Sequence, residues 1–91
     1  MKLKPLGNRI LVLPVKKENY ITGANIELVD FSLSAAEVVE FAPMFDGVYK
    51  KGDIILYPKN IGMSQTYNGK THLWLDGRGY TDGDVVSIIN W

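Results

Sequence analysis

Prolines and glycine-containing turns cut this chain into short apolar runs, and this punctuation limits the possible folds more than any other sequence feature. Residues 10–13 (ILVL) run into Pro14, and residues 54–57 (IILY) run into Pro58. Proline has no backbone N–H and interrupts a strand ladder. No useful window shows the 3.6-residue apolar period of a helix. The pattern therefore predicts an all-β fold, and the short strands favour a compact, partly open barrel.

Three further segments complete the predicted set of strands. Residues 37–41 (EVVEF) read as a strand closed by Pro43. Asn68-Gly69 is the strongest hairpin signal, because both residues accept the positive φ of a type I′ turn, and it joins strands at 65–67 and 71–75. Residues 85–89 (VVSII) form the last predicted strand.

Length and composition limit the classes of function. With 91 residues the chain forms a single domain, 1–91, whose small core gains from oligomerisation. It has no cysteine, which excludes disulfides and thiol chemistry. Ten basic residues balance ten acidic ones without a basic stripe, so nucleic acid is a poor partner. No apolar run approaches a membrane span and residues 1–5 lack a signal-peptide core, so we expect a soluble, cytoplasmic protein.

Few residues offer catalytic or metal-binding chemistry. His72 is the only histidine, and its alternation with apolar neighbours predicts a strand residue that faces solvent or a subunit contact. Asp76, Asp82 and Asp84 lack the spacing of a calcium loop, so we expect segment 76–84 to be a solvated turn. With one histidine, no serine has the partners of a catalytic triad. We expect neither an enzyme nor a metal site.

The stretch from 16 to about 35 is too long for an ordinary hairpin connection. Its first half is polar, and apolar residues follow: Ile26, Leu28, Val29, Phe31 and Leu33. Long loops of this kind are usually functional, and apolar groups on a mobile loop need a partner. On the residues alone, 26–33 reads equally well as an ordinary core strand.

Four segments, in order, resemble the GroES co-chaperonin family over nearly the whole chain. Residues 4–12 (KPLGNRILV) look like the family's Pro-Leu-x-Asp-Arg-Val-x-Val opening, with Asn8 in place of the usual aspartate. Residues 36–39 (AEVV), 51–55 (KGDII) and 84–89 (DVVSII) resemble its later strands. The resemblance implies a small GroES-like barrel that forms a ring-shaped lid on a GroEL-type chaperonin and assists ATP-dependent folding.

By the same resemblance, the loop at 16–35 is mobile and docks in a groove of the chaperonin. Segment 23–28 (GANIEL) occupies the place of the family's docking segment. The implied chaperonin-binding residues are Gly23, Ile26, Glu27, Leu28 and Val29. If the loop binds extended, Ile26 and Leu28 face the groove together and Glu27 points away. The alternative anchors, one register along, are Val29 and Phe31.

The family's ring is a heptamer in which the N-terminal strand of one subunit pairs with the C-terminal strand of its neighbour. This implies that Leu3, Leu6, Ile88 and Ile89 contribute to the subunit interface, although each fits plain core packing equally well. Between Phe41 and Gly52 the family inserts a roof hairpin, and here only 42–51 is available. We expect a reduced roof with a wider opening.

The resemblance also implies the partners: a GroEL-type chaperonin, which would bind the ATP, and unfolded polypeptides inside its chamber. No cofactor is expected for this chain. The location would be the cytoplasm, and the host cytoplasm if such a divergent chain is viral. Two other functions stay open, a structural β-barrel subunit of an assembly and an OB-like binder of single-stranded nucleic acid that stacks bases on its aromatic residues.

Overall fold

A computed structural model of the protein describes residues 2–15, 33–79 and 83–89. These residues form six β-strands and one short 3₁₀ helix, with no α-helix in the described ranges. The elements are β1 (Arg9–Val15), β2 (Leu33–Phe41), the 3₁₀ helix (Pro43–Phe45), β3 (Ile54–Pro58), β4 (Met63–Tyr67), β5 (Lys70–Asp76) and β6 (Ser87–Ile89). The all-β prediction is confirmed.

The strands form one antiparallel sheet in the order β4-β5-β1-β2-β3-β6. β1 is central, because it pairs with β2 on one side and with β5 on the other. β4 and β6 lie at the two edges. This single antiparallel sheet is consistent with the small, partly open GroES-like barrel expected from the sequence.

The main core lies on one face of this sheet. Ile10, Val12, Val38, Ile55 and Leu75 are all buried there, each with at most 1% of its surface exposed. Phe45 and Tyr49 enter the same core from the segment after β2, and their rings meet edge to face at 5.3 Å between centroids. Burying each large side chain contributes roughly 1.5–3 kcal/mol.

A second apolar cluster, the outer cluster, lies on the opposite face of β2 and β3. Its members are Val15, Leu33, Ala35, Ile54, Leu56 and Ile89. Because successive strand residues point to opposite faces, Ile54 and Leu56 belong to this cluster while Ile55 enters the main core. This two-sided burial explains why residues 54–57 are apolar without interruption.

A β-bulge in β2 changes which residues point inward. Leu11 pairs with Glu40 and Val12 with Val38, which leaves Val39 as the extra residue. Beyond the bulge Phe41 packs on the main core, whereas Glu40 forms an ion pair with Lys51 at 3.3 Å. If β2 alternated regularly through Val39, without a bulge, Glu40 would point inward and Phe41 outward.

Two prolines lie inside strands that the sequence reasoning ended before them. Pro14 pairs with Ala36 in β1, and Pro58 pairs with Leu33 in β3. Those two expected strand ends were wrong. Among the described strands, β5 accompanies β1 only as far as Val12, and β6 accompanies β3 only as far as Leu56. Each proline therefore has one side without a paired described strand, where its missing N–H costs little.

Two other strand boundaries also differ from the prediction, one strand being longer and one shorter than expected. β2 begins at Leu33, so the last residues of the expected 16–35 loop are strand, held by the pairs Leu33↔Pro58 and Ala35↔Leu56. The hairpin prediction is confirmed: Asn68 and Gly69 have φ of 53° and 77°, between β4 and β5. The last strand is shorter than expected, because Val85 packs in the core before β6 begins.

Gly77→Ala should destabilise the protein by about 1–3 kcal/mol, the usual cost of overpacking. An added Cβ would lie 2.7 Å from Ile10 Cγ2 and 2.9 Å from Phe45 Cε2. Gly79→Ala is the matched control in the same connection, because nothing lies within 4 Å of its Cβ position. Urea unfolding at equal subunit concentration compares the two variants. Equal stability for both would contradict the close packing at Gly77.

Candidate interaction surfaces

The residues with the expected chaperonin-binding role, Gly23, Ile26, Glu27, Leu28 and Val29, lie outside the described part of the structure. The structure does describe the two ends of that connection. Val15 pairs with Ala35 at the end of the β1–β2 ladder, and Leu33 begins β2 on the outer cluster. Residues 16–32 therefore join two neighbouring paired strands at one rim of the barrel.

The expected subunit-interface residues of the last strand lie at an edge of the sheet. Among the described strands β6 pairs only with β3, through Ile54↔Ile89 and Ile55↔Ile88. Ile88 packs against the main core and Ile89 against the outer cluster, and both are half-buried. Both residues thus have a packing role within the subunit, while no strand in the described part of the chain pairs with the outer backbone edge of β6.

The N-terminal residues lie beside the segment that follows β2. Segment 2–5 forms one side of an open groove of about 410 Å³, and Glu40, Phe41, Pro43 and Asp46 form the other. Leu3 lines this groove and is half-buried. Leu6 has 71% of its surface exposed. Leu6 therefore has little role in the core, which leaves it available to a neighbouring molecule.

The segment expected to be a reduced roof, 42–51, folds back onto the barrel. After the 3₁₀ helix, Gly47 turns the chain with φ of 86°, and Asp46 bridges to Tyr49. Phe45 and Tyr49 point into the core, whereas Met44 and Val48 are 58% and 57% exposed. The segment contains no hairpin strand in the structure. That it replaces the family's roof stays a prediction.

A cluster of hydrogen bonds, the Asp76 cluster, joins three parts of the chain near the end of β5. Tyr49 donates its hydroxyl to the Gly77 carbonyl at 2.6 Å, which ties segment 42–51 to β5. The backbone N–H of Asp76 donates to the Asp84 carboxylate at 2.9 Å, and the Asp84 N–H donates to the Asp76 carbonyl at 2.8 Å. These bonds bring the chain into the barrel at Val85 and place β6 beside β3.

The expectation of a simple solvated turn at 76–84 was therefore wrong for the part that the structure describes. Asp76 and Asp84 act as structural acceptors, and Gly83 packs so closely that a Cβ there would overlap the Arg78 carbonyl. Asp82 lies outside the described residues. Sequence reasoning missed this role because the partners Asn8, Tyr49 and Asp76 are far apart in the chain.

Asn8 explains one departure from the family's opening motif. Its side-chain amide Nδ2 donates to Asp76 Oδ2 at 2.9 Å, while its backbone carbonyl accepts the Gly77 N–H at 2.8 Å. An aspartate at position 8 would place a second carboxylate beside Asp76 without a proton to share. Asparagine keeps the shape of aspartate and supplies the donor.

Arg78 completes the charge balance of the cluster. Its Nη2 donates to Asp76 Oδ2 at 2.8 Å, and its backbone N–H donates to Oδ1 at 3.0 Å. The hydrogen bond from the Arg78 guanidinium lowers the pKa of Asp76 below its ordinary value, and burial of the carboxylate acts in the opposite direction. Burial, together with the Asp76 charge, raises the pKa of Tyr49, so its hydroxyl stays a donor.

His72 lies on β5 as expected, but it does not face solvent. It is 4% exposed and meets the Tyr67 ring edge to face at 5.3 Å. The Lys70 carbonyl, which accepts only, lies 3.0 Å from Nδ1 and assigns the proton to that nitrogen. The Tyr67 ring covers His72, which the alternation of residues along the strand had placed on the exposed face.

Across 2–15, 33–79 and 83–89, no three histidine or acidic side chains come together in a way that would hold a metal ion. Nor do these ranges contain a helix with the length and apolar character needed to span a bilayer.

Comparison with known proteins identifies the family. A co-chaperonin GroES of Rubrobacter xylanophilus is 35% identical over 92 residues, which covers 98% of this chain and 98% of that protein. The chain belongs to the GroES co-chaperonin family. Co-chaperonins GroES of Caldicellulosiruptor saccharolyticus and Symbiobacterium thermophilum are 34% and 25% identical, again over 98% of each chain. No protein-family model matches the chain.

The surfaces described above all belong to the part of the chain that aligns with the GroES relatives. The alignments extend over nearly the full length of the relatives, so the barrel, the 16–32 connection and the edge strand β6 all fall within the shared region. The family is one of co-chaperonins. The Asp76 cluster, which orders the approach to β6, is a structural feature of this GroES-family member.

Asp76→Asn should lower stability by roughly 1–2 kcal/mol at pH 7, because it keeps the shape but removes a charge-assisted acceptor. The pKa of Asp76 is lower in the folded protein than in the unfolded chain. The extra stability of the wild type over Asp76→Asn is therefore fully present above the ordinary pKa of a carboxyl group, and it is lost as the pH falls through the lower pKa of the folded state. Urea unfolding of both proteins from pH 7 to about pH 3 measures this convergence.

Asp46→Asn serves as the control, because Asp46 is exposed and its backbone, not its carboxylate, makes the hydrogen bond to Pro43. We expect its stability to follow the wild-type curve at every pH. A constant difference between Asp76→Asn and wild type over the whole range would contradict the assigned charge effect.

Proposed function

We propose that this protein is a co-chaperonin that forms a ring-shaped lid on a GroEL-type chaperonin and assists folding in the enclosed chamber. The observation on which this rests is the match to co-chaperonins GroES over 98% of both chains. The geometry supports it, because the 16–32 connection leaves one rim of a compact barrel while the open edge of β6 is available for assembly.

We propose that Ile26 and Leu28 are the chaperonin-binding anchors, with Gly23, Glu27 and Val29 in the same docking segment. In an extended segment the two aliphatic side chains share one face, and Glu27 points to the other. Two buried anchors contribute roughly 3–6 kcal/mol, whereas fixing each loop residue costs about 1–2 kcal/mol of backbone entropy. One loop alone therefore binds weakly.

A ring of subunits overcomes this weakness. Once one loop has bound, the other loops of the same ring bind at a high effective concentration, and avidity rises by a factor on the order of 10² to 10⁴. The individual contacts stay weak, so release remains fast. This combination suits a lid that closes and opens in an ATP-driven cycle.

We propose a heptamer whose seam includes Leu3, Leu6, Ile88 and Ile89. Pairing of a neighbour's N-terminal segment with β6 would cover the open backbone edge. The exposed side chain of Leu6 would gain burial in this contact, whereas Ile88 and Ile89 would extend packing that begins inside the subunit.

The remaining parts of the proposal follow from the lid function. The chain itself needs no cofactor and performs no catalysis, because the partner chaperonin binds and hydrolyses the ATP. Unfolded polypeptides in the chamber are the indirect substrates. The place of action is the cytoplasm, and the host cytoplasm if the chain is viral. The short 42–51 segment leaves a wider opening at the top of the lid.

Ile26→Ala with Leu28→Ala should abolish binding to a GroEL-type chaperonin in the presence of ATP, because both apolar anchors are removed. The fold and the ring should be unchanged. Gel filtration with light scattering measures the ring alone, and co-elution measures the complex. Unchanged co-elution would show that the anchors lie elsewhere, with Val29 and Phe31 as the next pair to replace.

Glu27→Val is the control in the same segment. Because Glu27 is placed on the outward face, this change should leave binding unchanged or strengthen it. A large loss would refute that placement. If the wild-type protein never co-elutes with the chaperonin, a structural barrel subunit becomes the better interpretation. A salt-dependent shift in its elution with single-stranded DNA would instead support nucleic-acid binding.

Leu6→Ser should raise the subunit concentration needed for half-assembly by about 10-fold or more, from the loss of one buried aliphatic side chain at the seam. Because Leu6 is 71% exposed in the subunit, the fold should be unaffected. Met63→Ser is the matched control, since Met63 is 58% exposed but lies on β4, at the opposite edge. Equal effects of the two changes on light scattering would place Leu6 outside the seam.

A further inference from the structure

The edge strand β4 lacks the features that normally keep a sheet edge from pairing with another molecule. Its residues run in unbroken register with β5, from Met63↔Trp74 to Tyr67↔Lys70, without a bulge. It contains no proline and no charged residue, and four of its five residues are exposed. Natural edge strands are usually protected by charges, prolines, bulges or a covering segment. Among the described strands only β5 pairs with β4, so its outer edge is open to a further strand.

The hairpin turn after β4 determines which of its backbone groups point outward. Tyr67 and Lys70 flank this two-residue turn, and residues in that position form a hydrogen-bonded pair. Hydrogen-bonded and non-hydrogen-bonded pairs alternate along an antiparallel ladder, so Ser64 and Thr66 direct their N–H and C=O groups away from β5. The Thr66 carbonyl accepts a hydrogen bond from Gln65 Nε2 at 3.0 Å, as expected of a group that β5 does not engage. The open edge thus presents the donors and acceptors of two residues.

We propose that β4 is a docking site for β4 of a second copy of this chain, paired antiparallel about a two-fold axis at Gln65. In this register Ser64 of each strand lies opposite Thr66 of the other. The Ser64 N–H donates to the facing Thr66 carbonyl, and the Thr66 N–H donates to the facing Ser64 carbonyl. All of the outward backbone groups of both strands are then hydrogen-bonded. The contact uses neither the proposed docking segment nor the proposed seam.

The side chains of β4 are complementary in the same register. On one face Met63 lies opposite Tyr67 of the second copy, and a thioether beside an aromatic ring is a favourable contact. Gln65 lies opposite its own equivalent. The incoming main-chain donor replaces Gln65 at the Thr66 carbonyl and frees its amide to hydrogen-bond the facing glutamine. On the other face Ser64 and Thr66 form a cross-strand hydroxyl pair. No like charges meet, because β4 is uncharged and the chain has a formal net charge of +0.

The symmetry of this contact separates it from the proposed ring seam. Pairing of β4 with itself uses the same surface on both molecules, whereas a closed ring of more than two subunits uses head-to-tail contacts. β4 and β6 lie at opposite ends of the strand order, so the two contacts use different backbone edges. In the proposed ring, two paired β4 strands therefore belong to different rings. The expected product is a species in which two rings are joined.

Single cysteines test the register directly, because the chain has no cysteine of its own. In a non-hydrogen-bonded pair the two Cα atoms are about 4.5 Å apart, a distance that a disulfide bridges. Gln65→Cys should therefore form a covalent dimer under oxidised glutathione, at least about 10-fold faster than Met63→Cys, because paired thiols react at a high effective concentration. Met63→Cys is the matched control, since Met63 is also exposed on β4 but its two copies would lie roughly 14 Å apart along the strands. Equal cross-linking of the two variants, or none in either, overturns the proposal.

Charge substitution at the two-fold axis gives a second measurement. Gln65→Lys and Gln65→Glu each place like charges opposite one another and should weaken the pairing by about 5-fold. An equal mixture of the two variants should restore it, because opposite charges then face each other in the mixed pair. Light scattering measures the subunit concentration at which the mass doubles. A mixture that recovers nothing overturns the proposal, since position 65 then does not face itself. Met63→Ser should weaken the same doubling without changing the concentration at which a single ring assembles.

Hydrogen exchange separates a second copy from other occupants of the edge. The amides of Ser64 and Thr66 should exchange rapidly in dilute protein and slowly once the mass has doubled. Slow exchange at every concentration overturns the proposal, because a segment of the same molecule then covers the edge. Protection that appears only with an added extended peptide, without mass doubling, overturns it in favour of peptide docking. Co-elution of Gln65→Lys with the chaperonin tests the lid function separately, because it needs the ring but not the pairing of β4.

Discussion

The pairing of β1 on both of its sides is the interaction on which the rest of the structure depends. β1 joins the hairpin of β4 and β5 to the unit of β2, β3 and β6, and no other described strand links these two halves. Ile10 and Val12 on this strand meet core residues from both halves. The long connection 16–32 begins where β1 ends, so the strand that organises the core also fixes the root of the proposed docking loop.

Order at the edge strand is achieved differently, through polar contacts. β6 is short and makes few ladder bonds, and the Asp76 cluster positions the chain before it through Asn8, Tyr49 and Asp84. Each of these hydrogen bonds contributes only about 1 kcal/mol, but together they connect the start of β1, the 42–51 segment and the end of β5. In the proposed ring, such a cluster would hold β6 in one orientation before a neighbouring subunit arrives.

The proposed functional surfaces share one energetic design. A single docking loop would bind weakly, whereas several loops on one ring would bind firmly together. This avidity requires contacts between subunits that are stronger than any single loop contact. In the proposed ring, the backbone edge of β6 would supply a modest apolar seam together with the exposed Leu6 and the half-buried Ile88 and Ile89. The reversible step would then be loop docking, while the ring persists.

Much of this protein follows from the sequence by itself. The proline and glycine punctuation predicts an all-β chain, Asn68-Gly69 predicts the hairpin, and the opening at 4–12 resembles the GroES family, because each signal depends on neighbouring residues alone. The start of β2 at Leu33, the inward turn of Phe41 after the bulge, the burial of His72 and the bonds among Asn8, Tyr49 and Asp76 depend on residues distant in the chain. Only the tertiary structure decided these, because strand register and side-chain partners are set by which segments pair, and local propensity does not contain that information.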